Sequence, residues 1–380
     1  VRRARRTNGA RSLSSAAWKA KTTVSFLENI KTNVRALETY AVKGKTLQPG
    51  LIKLNQNENP FDIPDDIKRD LAQEFFSQSW NRYPEVFPVD LLKALSVHTR
   101  HPVEGIIAGN GSNELMYTVL MSTVGKGTKV LIPSPSFFLY EKAVKVFDGE
   151  VLSVRMNDNL SFPTDRIIEA ARREKPALII LVSPNSPTGQ SIAIEDVEKI
   201  LAATSSIVLV DEAYIEFSDK PSAQSLIEKH DRLVVLRTFS KAFGMAGLRV
   251  GYLLAQAALC EEFLKPKIPF AVNNFSASVA IKLMQRKKLI DERIAYIKIQ
   301  KEFLLNSLRA LPGIEVFPSD TNFLIFKTRH ESGALFHRLL HENVLVRDVS
   351  SYPMLGRMLR VNAGTEEENT TFLSVLKKNL

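Results

Sequence analysis

From Lys129 to Leu254 the chain alternates two kinds of hydrophobic pattern. Continuous apolar runs recur at Ala177-Leu178-Ile179-Ile180-Leu181-Val182, at Ile207 to Val210, at Leu233 to Leu236 and from Arg249 to Leu254. Between them lie amphipathic stretches near Pro163 to Arg172 and Glu195 to Ala203. A strand that is apolar on both sides must be covered on both faces, so the pattern predicts an α/β fold around a doubly covered, mostly parallel sheet. Further strands are predicted at Ile106 to Gly109, which runs into a helix, at Lys129 onward, leading to a helix whose first turn holds Phe137, and at Val151 to Met156. Beyond Ala255 the pattern changes to two long helices, 272–287 and 289–311, closed by Pro312-Gly313. Strands at 314–317 and 322–327, a helix near 332–342 and strands around 344 and 358 complete a smaller α+β region. Residues 25–42 read as an amphipathic helix. The expected organisation is a basic arm at 1–23, an N-terminal helix and arm at 24–50 packing on the small domain, a large domain at 51–270 and a small C-terminal domain at 271–380.

Composition narrows the class. The chain has 380 residues, 44% of them hydrophobic, enough to bury a sizeable core. No apolar run approaches the roughly 18 residues of a membrane span. The net charge of +10 looks like a nucleic-acid signal until it is located. Arg2, Arg3, Arg5, Arg6, Arg11, Lys19 and Lys21 stand in a segment without acids, leaving 44 basic against 41 acidic residues elsewhere. The body is therefore nearly neutral, and specific nucleic-acid binding is not expected. Arginine, serine and the absence of acids give that arm the look of an organelle transit peptide or of a disordered tail. A single cysteine, Cys260, rules out an internal disulfide and a cysteine metal cluster. His337 and His341 share a helix face without a third ligand, so no metal site is expected. No G-x-G-x-x-G follows a strand with an acid about 20 residues on, which disfavours a dinucleotide fold.

The chemistry concentrates between Arg237 and Tyr252. Lys241 follows the apolar run 233–236, and desolvation there favours the neutral amine that forms a Schiff base with an aldehyde. Arg249, which cannot lose its charge, suits a dianionic phosphate, and Thr238 and Ser240 add hydroxyl donors. Aldehyde capture beside phosphate capture suggests pyridoxal phosphate. On these residues alone a loop with a surface lysine and an ion-paired arginine is a comparable reading.

Ser240-Lys241, the glycines around it and Arg249 resemble the lysine segment of fold-type I aminotransferases, above all the histidinol-phosphate aminotransferase family, and the resemblance runs from about Leu51 to the C-terminus. It implies a large domain that binds pyridoxal 5′-phosphate. Other motifs follow in the family's order, and each has a plainer reading beside it. In Asn55-Gln56-Asn57-Glu58-Asn59-Pro60, by itself a turn, the resemblance makes Asn57 line the site. In Asn81-Arg82-Tyr83-Pro84, by itself a half-buried turn, it makes Tyr83 reach across a homodimer interface to the cofactor phosphate of the neighbouring subunit. Gly111-Ser112-Asn113 opens a helix whose N-terminal amides can face an anion, and the resemblance gives it the cofactor phosphate, with Asn113 and Met116 departing from the expected Asp and aliphatic residue. Phe137, otherwise core, matches an aromatic that stacks on the pyridine ring, where tyrosine is usual. Asn185, in a loop of turn formers, matches the residue that hydrogen-bonds the cofactor's phenolic oxygen, shared with Tyr214. Asp211 ends a buried strand, where a carboxylate has few structural reasons to be, and matches the partner that keeps the pyridine nitrogen protonated. Arg347 and Arg360, in isolation surface ion pairs, match the residues facing a substrate's distal anion and its carboxylate.

What the resemblance implies is a homodimeric aminotransferase acting on a small-molecule amino donor and a 2-oxo acid, moving the amino group of L-histidinol phosphate to 2-oxoglutarate in histidine biosynthesis. Lys241 would anchor the cofactor and shuttle the proton. Aromatic transamination and phosphothreonine decarboxylation are the alternatives on the same motifs. An aminotransferase-like transcription regulator is disfavoured, because the arm lacks the periodicity of a DNA-reading helix module. The family-like sequence begins near Val24, so a start placed too far upstream is a third reading of the arm, and it is preferred with the disordered tail over targeting. The expected compartment is the cytoplasm, with an organelle as the alternative.

Overall fold

The computed structural model describes residues 25–39 and 50–380. The basic arm lies outside the described residues, as do 40–49. Residues 25–39 belong to a separate unit and form a 3-10 turn at Ser25–Asn29 and a single helical turn, α1 (Thr32–Arg35), in place of one helix over 25–42. Lys31 has a non-helical backbone (φ −47°, ψ 133°), which separates the two turns.

The second unit begins with β1 (Ile52–Lys53), α2 (Asp65–Phe76) and α3 (Val89–Thr99). There follow β2 (Ile106–Gly109), α4 (Gly111–Thr123), β3 (Lys129–Ser134), α5 (Leu139–Val146), β4 (Glu150–Arg155), α6 (Thr164–Glu174), β5 (Leu178–Val182), α7 (Ile194–Ala203) and β6 (Ile207–Asp211). Next come β7 (Leu233–Thr238), β8 (Gly251–Leu254), α8 (Ala257–Leu264), α9 (Asn274–Gln285) and α10 (Lys287–Arg309). The chain closes with β9 (Glu315–Val316), β10 (Phe323–Lys327), α11 (Ser332–His341), β11 (Val344–Leu345), β12 (Arg347–Asp348), β13 (Met358–Asn362) and α12 (Glu366–Asn379). Phe137 lies just before α5 and not in its first turn.

Seven strands form the main sheet in the order β2-β8-β7-β6-β5-β3-β4. The pairs from β4 across to β7 are parallel, and β8 runs antiparallel to both β7 and β2. The continuous apolar runs are explained residue by residue. Leu178, Ile180 and Val182 of β5 point into a core shared with α4, α5 and α8, while Ile179 and Leu181 point into the opposite core with α6 and α7. Val208 and Val210 alternate with Leu209, and Leu233 and Val235 with Val234 and Leu236, in the same way. Burying both faces brings each such side chain roughly 1.5–3 kcal/mol of transfer free energy.

A four-stranded antiparallel sheet, β12-β13-β10-β9, forms the C-terminal region. The helix α12 starts from a capping box in which Thr365 accepts from the Glu368 amide and Glu368 accepts from the Thr365 amide. The segment around β1 ties this region to the start of the unit: β1 pairs in parallel with β11, and Leu54 bonds on to Leu345 and Asn362. Phe323 packs edge-on against Tyr214, with ring centroids 5.4 Å apart, so the two sheets meet at the carboxyl ends of the main strands.

Candidate active site

The ends of β3, β5, β6 and β7 deliver Phe137, Ser186, Asp211 and Lys241 to one cavity of about 530 Å³. Lys241 is half-buried, and its Nζ donates to the Gln56 carbonyl at 2.8 Å. Burial holds its ammonium below the ordinary lysine range. Arg360 and Arg249 push the same way, and Tyr214 and Glu58 oppose them. A lysine biased toward its neutral amine at the cavity wall suits carbonyl capture.

A second cluster is built for an anion. Ser240 receives a bond from Thr238 Oγ1 (3.0 Å) and from Arg249 Nη1 (3.2 Å). Arg249 is held in the left-handed region (φ 57°) and also reaches the Ala246 carbonyl. Gly111 opens α4 with φ 75°, and a Cβ there would collide with the Arg249 guanidinium. A Cβ on Gly251 would strike the Ser112 amide nitrogen. Only glycine lets β8, the loop after β7 and the N-terminus of α4 come this close. Ser112, Asn113, Thr238, Ser240 and Arg249 consequently share the cavity lining, with the unpaired first-turn amides of α4 among them.

Asp211 is 6% exposed. Its Oδ2 accepts from the Tyr140 hydroxyl at 2.8 Å and its Oδ1 from the Ala213 amide at 3.1 Å. Burial raises the carboxyl to about 6, and those two hydrogen bonds oppose the rise. Behind it, Glu212 accepts from Arg237, Ser222 and the Ala223 amide, joining the ends of β6 and β7 through a buried charge pair. Tyr214 accepts at its hydroxyl from Asn57 Nδ2 (2.9 Å). Asn57 has a left-handed backbone (φ 56°) and is held by Asn362 and Asn322, so its amide serves Tyr214 from within the cavity lining.

Arg347 and Arg360 both line the cavity, and they are directly opposite each other on β12 and β13. Like charges on facing positions of antiparallel strands are unfavourable, and here they concentrate positive charge on the cavity wall. Arg360 is steadied by the Asn55 carbonyl (2.9 Å), Ser186 Oγ (3.2 Å) and the face of Phe323.

Three expected residues stand apart from the cavity wall: Gly111 at the start of α4, Asn185 and Tyr83. Asn185 is fully buried just behind that wall, its Nδ2 committed to the Pro135 carbonyl and Thr188, while its Oδ1 has no partner among the described residues. Tyr83 is 82% exposed and stacks on Phe270. The sequence reading missed Tyr140, Glu58, Phe138 and Tyr352. Glu58 follows Asn57, Phe138 follows Phe137 and Tyr140 lies three residues from Phe137, whereas Tyr352 carried no local signal. A concavity of about 680 Å³ along the edge strand β4 is lined by Arg155, Arg166 and Arg173, whose charges are engaged with Asp158, Glu169, Glu174 or backbone oxygens. Among the described residues no group of three or more His, Cys, Asp or Glu side chains converges on a metal-sized space.

Pyridoxal phosphate fits this donor set. Among the described residues the buried side-chain amide of Asn55, in the cavity lining, and Asn185 Oδ1, just behind it, have no partner, and the glycine-lined cluster has the hydroxyls, amides and guanidinium of a phosphate site.

Residues 49–376 match the model of the aminotransferase class I and II family. The histidinol-phosphate aminotransferase of Chlorobaculum tepidum is 44% identical over 90% of this chain and 97% of its own length. Among solved structures, the histidinol-phosphate aminotransferase of Clostridium acetobutylicum superposes with a TM-score of 0.79 at 25% identity, covering 86% of this chain and 98% of that one. That of Sinorhizobium meliloti, a complex with pyridoxal-5′-phosphate, superposes with a TM-score of 0.79 at 22% identity, covering 86% and 90%.

Proposed function

The chain belongs to the class I and II aminotransferases and, within them, to the histidinol-phosphate aminotransferase family, and from that premise we propose that it moves the amino group of L-histidinol phosphate to 2-oxoglutarate, giving imidazole acetol phosphate and L-glutamate in histidine biosynthesis. The observation that carries the reading is one cavity opening on a deprotonation-prone lysine, a buried carboxylate and a cross-strand arginine pair. When bound, pyridoxal phosphate supplies an aldehyde that captures amines and a ring that draws electrons from the carbon losing its proton.

The residues divide that work. Ser112, Asn113, Thr238, Ser240 and Arg249 hold the phosphate, with Gly111 giving them room. Asp211 holds a proton on the ring nitrogen. Asn185 and Tyr214 would hydrogen-bond the cofactor's phenolic oxygen, and Phe137 would pack on its ring. Lys241 Nζ would hold the aldehyde at rest and, freed when the substrate amine takes its place, would carry the proton from the substrate carbon to the cofactor's aldehyde carbon, a base role worth typically ~10²–10⁴-fold. Both amino donors carry an anion close to the reacting carbon, a carboxylate in glutamate and a phosphate in histidinol phosphate. The planar fork of Arg360 suits either. Arg347 then meets the distal carboxylate of glutamate, and the imidazole of histidinol phosphate takes the same end. In this reading the large domain, 51–270, holds the cofactor and the small one, 271–380, brings both arginines.

Two copies complete the enzyme. Phe76, Trp80, Tyr83, Phe87 and Ile268 form exposed apolar surface, and Tyr83 reaches the neighbouring site from it. We place the protein in the cytoplasm, where its lone buried thiol, Cys260, stays reduced. The test is production of glutamate from L-histidinol phosphate and 2-oxoglutarate by the purified protein with pyridoxal phosphate. No glutamate formation sinks the assignment.

A further inference from the structure

Tyr140 lies outside the cavity lining, yet its surroundings make its hydroxyl conspicuous. The residue is 1% exposed, on α5, within the core that also holds Ile132, Val182, Leu209 and Leu236. Phenylalanine would pack there with the same ring. A hydroxyl taken out of water without a partner is unfavourable, and among the described residues this one has a single hydrogen bond, 2.8 Å to Asp211 Oδ2. Burial and the neighbouring Asp211 charge push the phenol well above its ordinary range, so the hydroxyl remains a donor. The second carboxylate oxygen is held by the Ala213 amide, so Asp211 is oriented from two directions, one of them another layer of the fold.

We propose that Tyr140 is a positioning residue of the transamination site: its hydroxyl holds the Asp211 carboxylate in place and keeps the proton that Asp211 shares with the cofactor's ring nitrogen on the nitrogen. The proposal rests on the reading of Asp211 given above. The balance is that of one proton. With the hydrogen bond present, Asp211 is the weaker base and the pair is a carboxylate beside a protonated ring. With the bond absent, burial leaves Asp211 the stronger base, and the same proton moves from nitrogen to carboxylate oxygen with no change in the charge of the pair. The groups that act on Asp211 are Tyr140 from α5, the Ala213 amide and the adjacent Glu212, whose negative charge works in the opposite direction to the tyrosine.

The experiment compares wild-type and Tyr140→Phe holoenzymes loaded with pyridoxal phosphate carrying nitrogen-15 in the ring, whose chemical shift separates protonated from neutral nitrogen. The expected result is a protonated ring in the wild type, a shift toward the neutral ring in Tyr140→Phe, and a kcat lower by about tenfold or more with KM for the amino donor little changed. Replacement of Tyr140 by 3-fluorotyrosine, a more acidic phenol of nearly the same shape, moves the shift the opposite way and guards against a folding defect in the phenylalanine variant. A wild-type shift in both variants overturns the proposal, whether or not activity falls, since a merely structural tyrosine would leave the nitrogen alone. A neutral ring in the wild type overturns the Asp211 reading, and the proposal with it.

Discussion

Replacing Arg360 by lysine is the most informative single perturbation of substrate binding. The charge is kept, but the planar fork becomes a point charge on a flexible stem. In the native site the guanidinium is steadied by the Asn55 carbonyl, Ser186 Oγ and the Phe323 ring, so it is oriented before an anion arrives. Loss of one of two parallel charge-assisted bonds costs about 1.5–3 kcal/mol, a factor of roughly 10 to 100 in KM. Steady-state kinetics with L-histidinol phosphate and with glutamate should show that rise for both donors, because each carries an anion near its reacting carbon. Arg347→Met is the matched comparison. It should raise KM for glutamate and 2-oxoglutarate more than for histidinol phosphate. It should also stabilise the apoprotein slightly, by about 0.2–1 kcal/mol, since Arg347 and Arg360 face each other across the β12–β13 pair. An Arg360→Lys enzyme with native KM for both donors would refute the reasoning.

Other consequences are direct. Lys241→Ala should retain cofactor through the phosphate contacts and lose turnover by at least ~10²–10⁴-fold, read by single-turnover kinetics. Gly111→Ala places a side chain against Arg249 on a backbone of φ 75°, and equilibrium dialysis should show cofactor affinity weakened about tenfold or more. Asp211 has its folded pKa raised from 3.8 to about 6, so its contribution to apoprotein stability is present below pH 3.8 and lost as pH rises through 6. That loss is about 3 kcal/mol. The thermal midpoint of the wild-type apoprotein should therefore fall relative to Asp211→Asn between pH 4 and pH 7, and parallel profiles would contradict the burial argument.

Much of this was legible in the chain because its signals are local. Runs such as 178–182 and 233–236 announce strands covered on both faces, and Lys241, Ser240 and Arg249 lie within one turn-rich stretch whose chemistry is readable from residue type. What escaped depends on register and on distance in sequence. That Arg347 and Arg360 stand opposite each other follows from the pairing of β12 with β13, which no spacing reveals. Tyr140 and Asp211 are 71 residues apart and meet only because α5 packs over the end of β6. Asn57 reads as a turn former, and its tie to Tyr214 spans 157 residues. The N-terminal helix was overestimated for the opposite reason: apolar periodicity at 25–42 suggested one helix, whereas the non-helical backbone of Lys31 separates two short turns within 25–39.

The central claim is that Lys241 and its surroundings pass an amino group from histidinol phosphate to a 2-oxo acid. The most direct measurement follows the visible absorbance of the cofactor-loaded protein as L-histidinol phosphate, glutamate, phenylalanine and phosphothreonine are added one at a time. Histidinol phosphate and glutamate should bleach it at lower concentrations than the other two, and 2-oxoglutarate should restore it. Bleaching chiefly by phenylalanine would move the function to aromatic transamination, and a protein that never acquires the absorbance would contradict the role of Lys241.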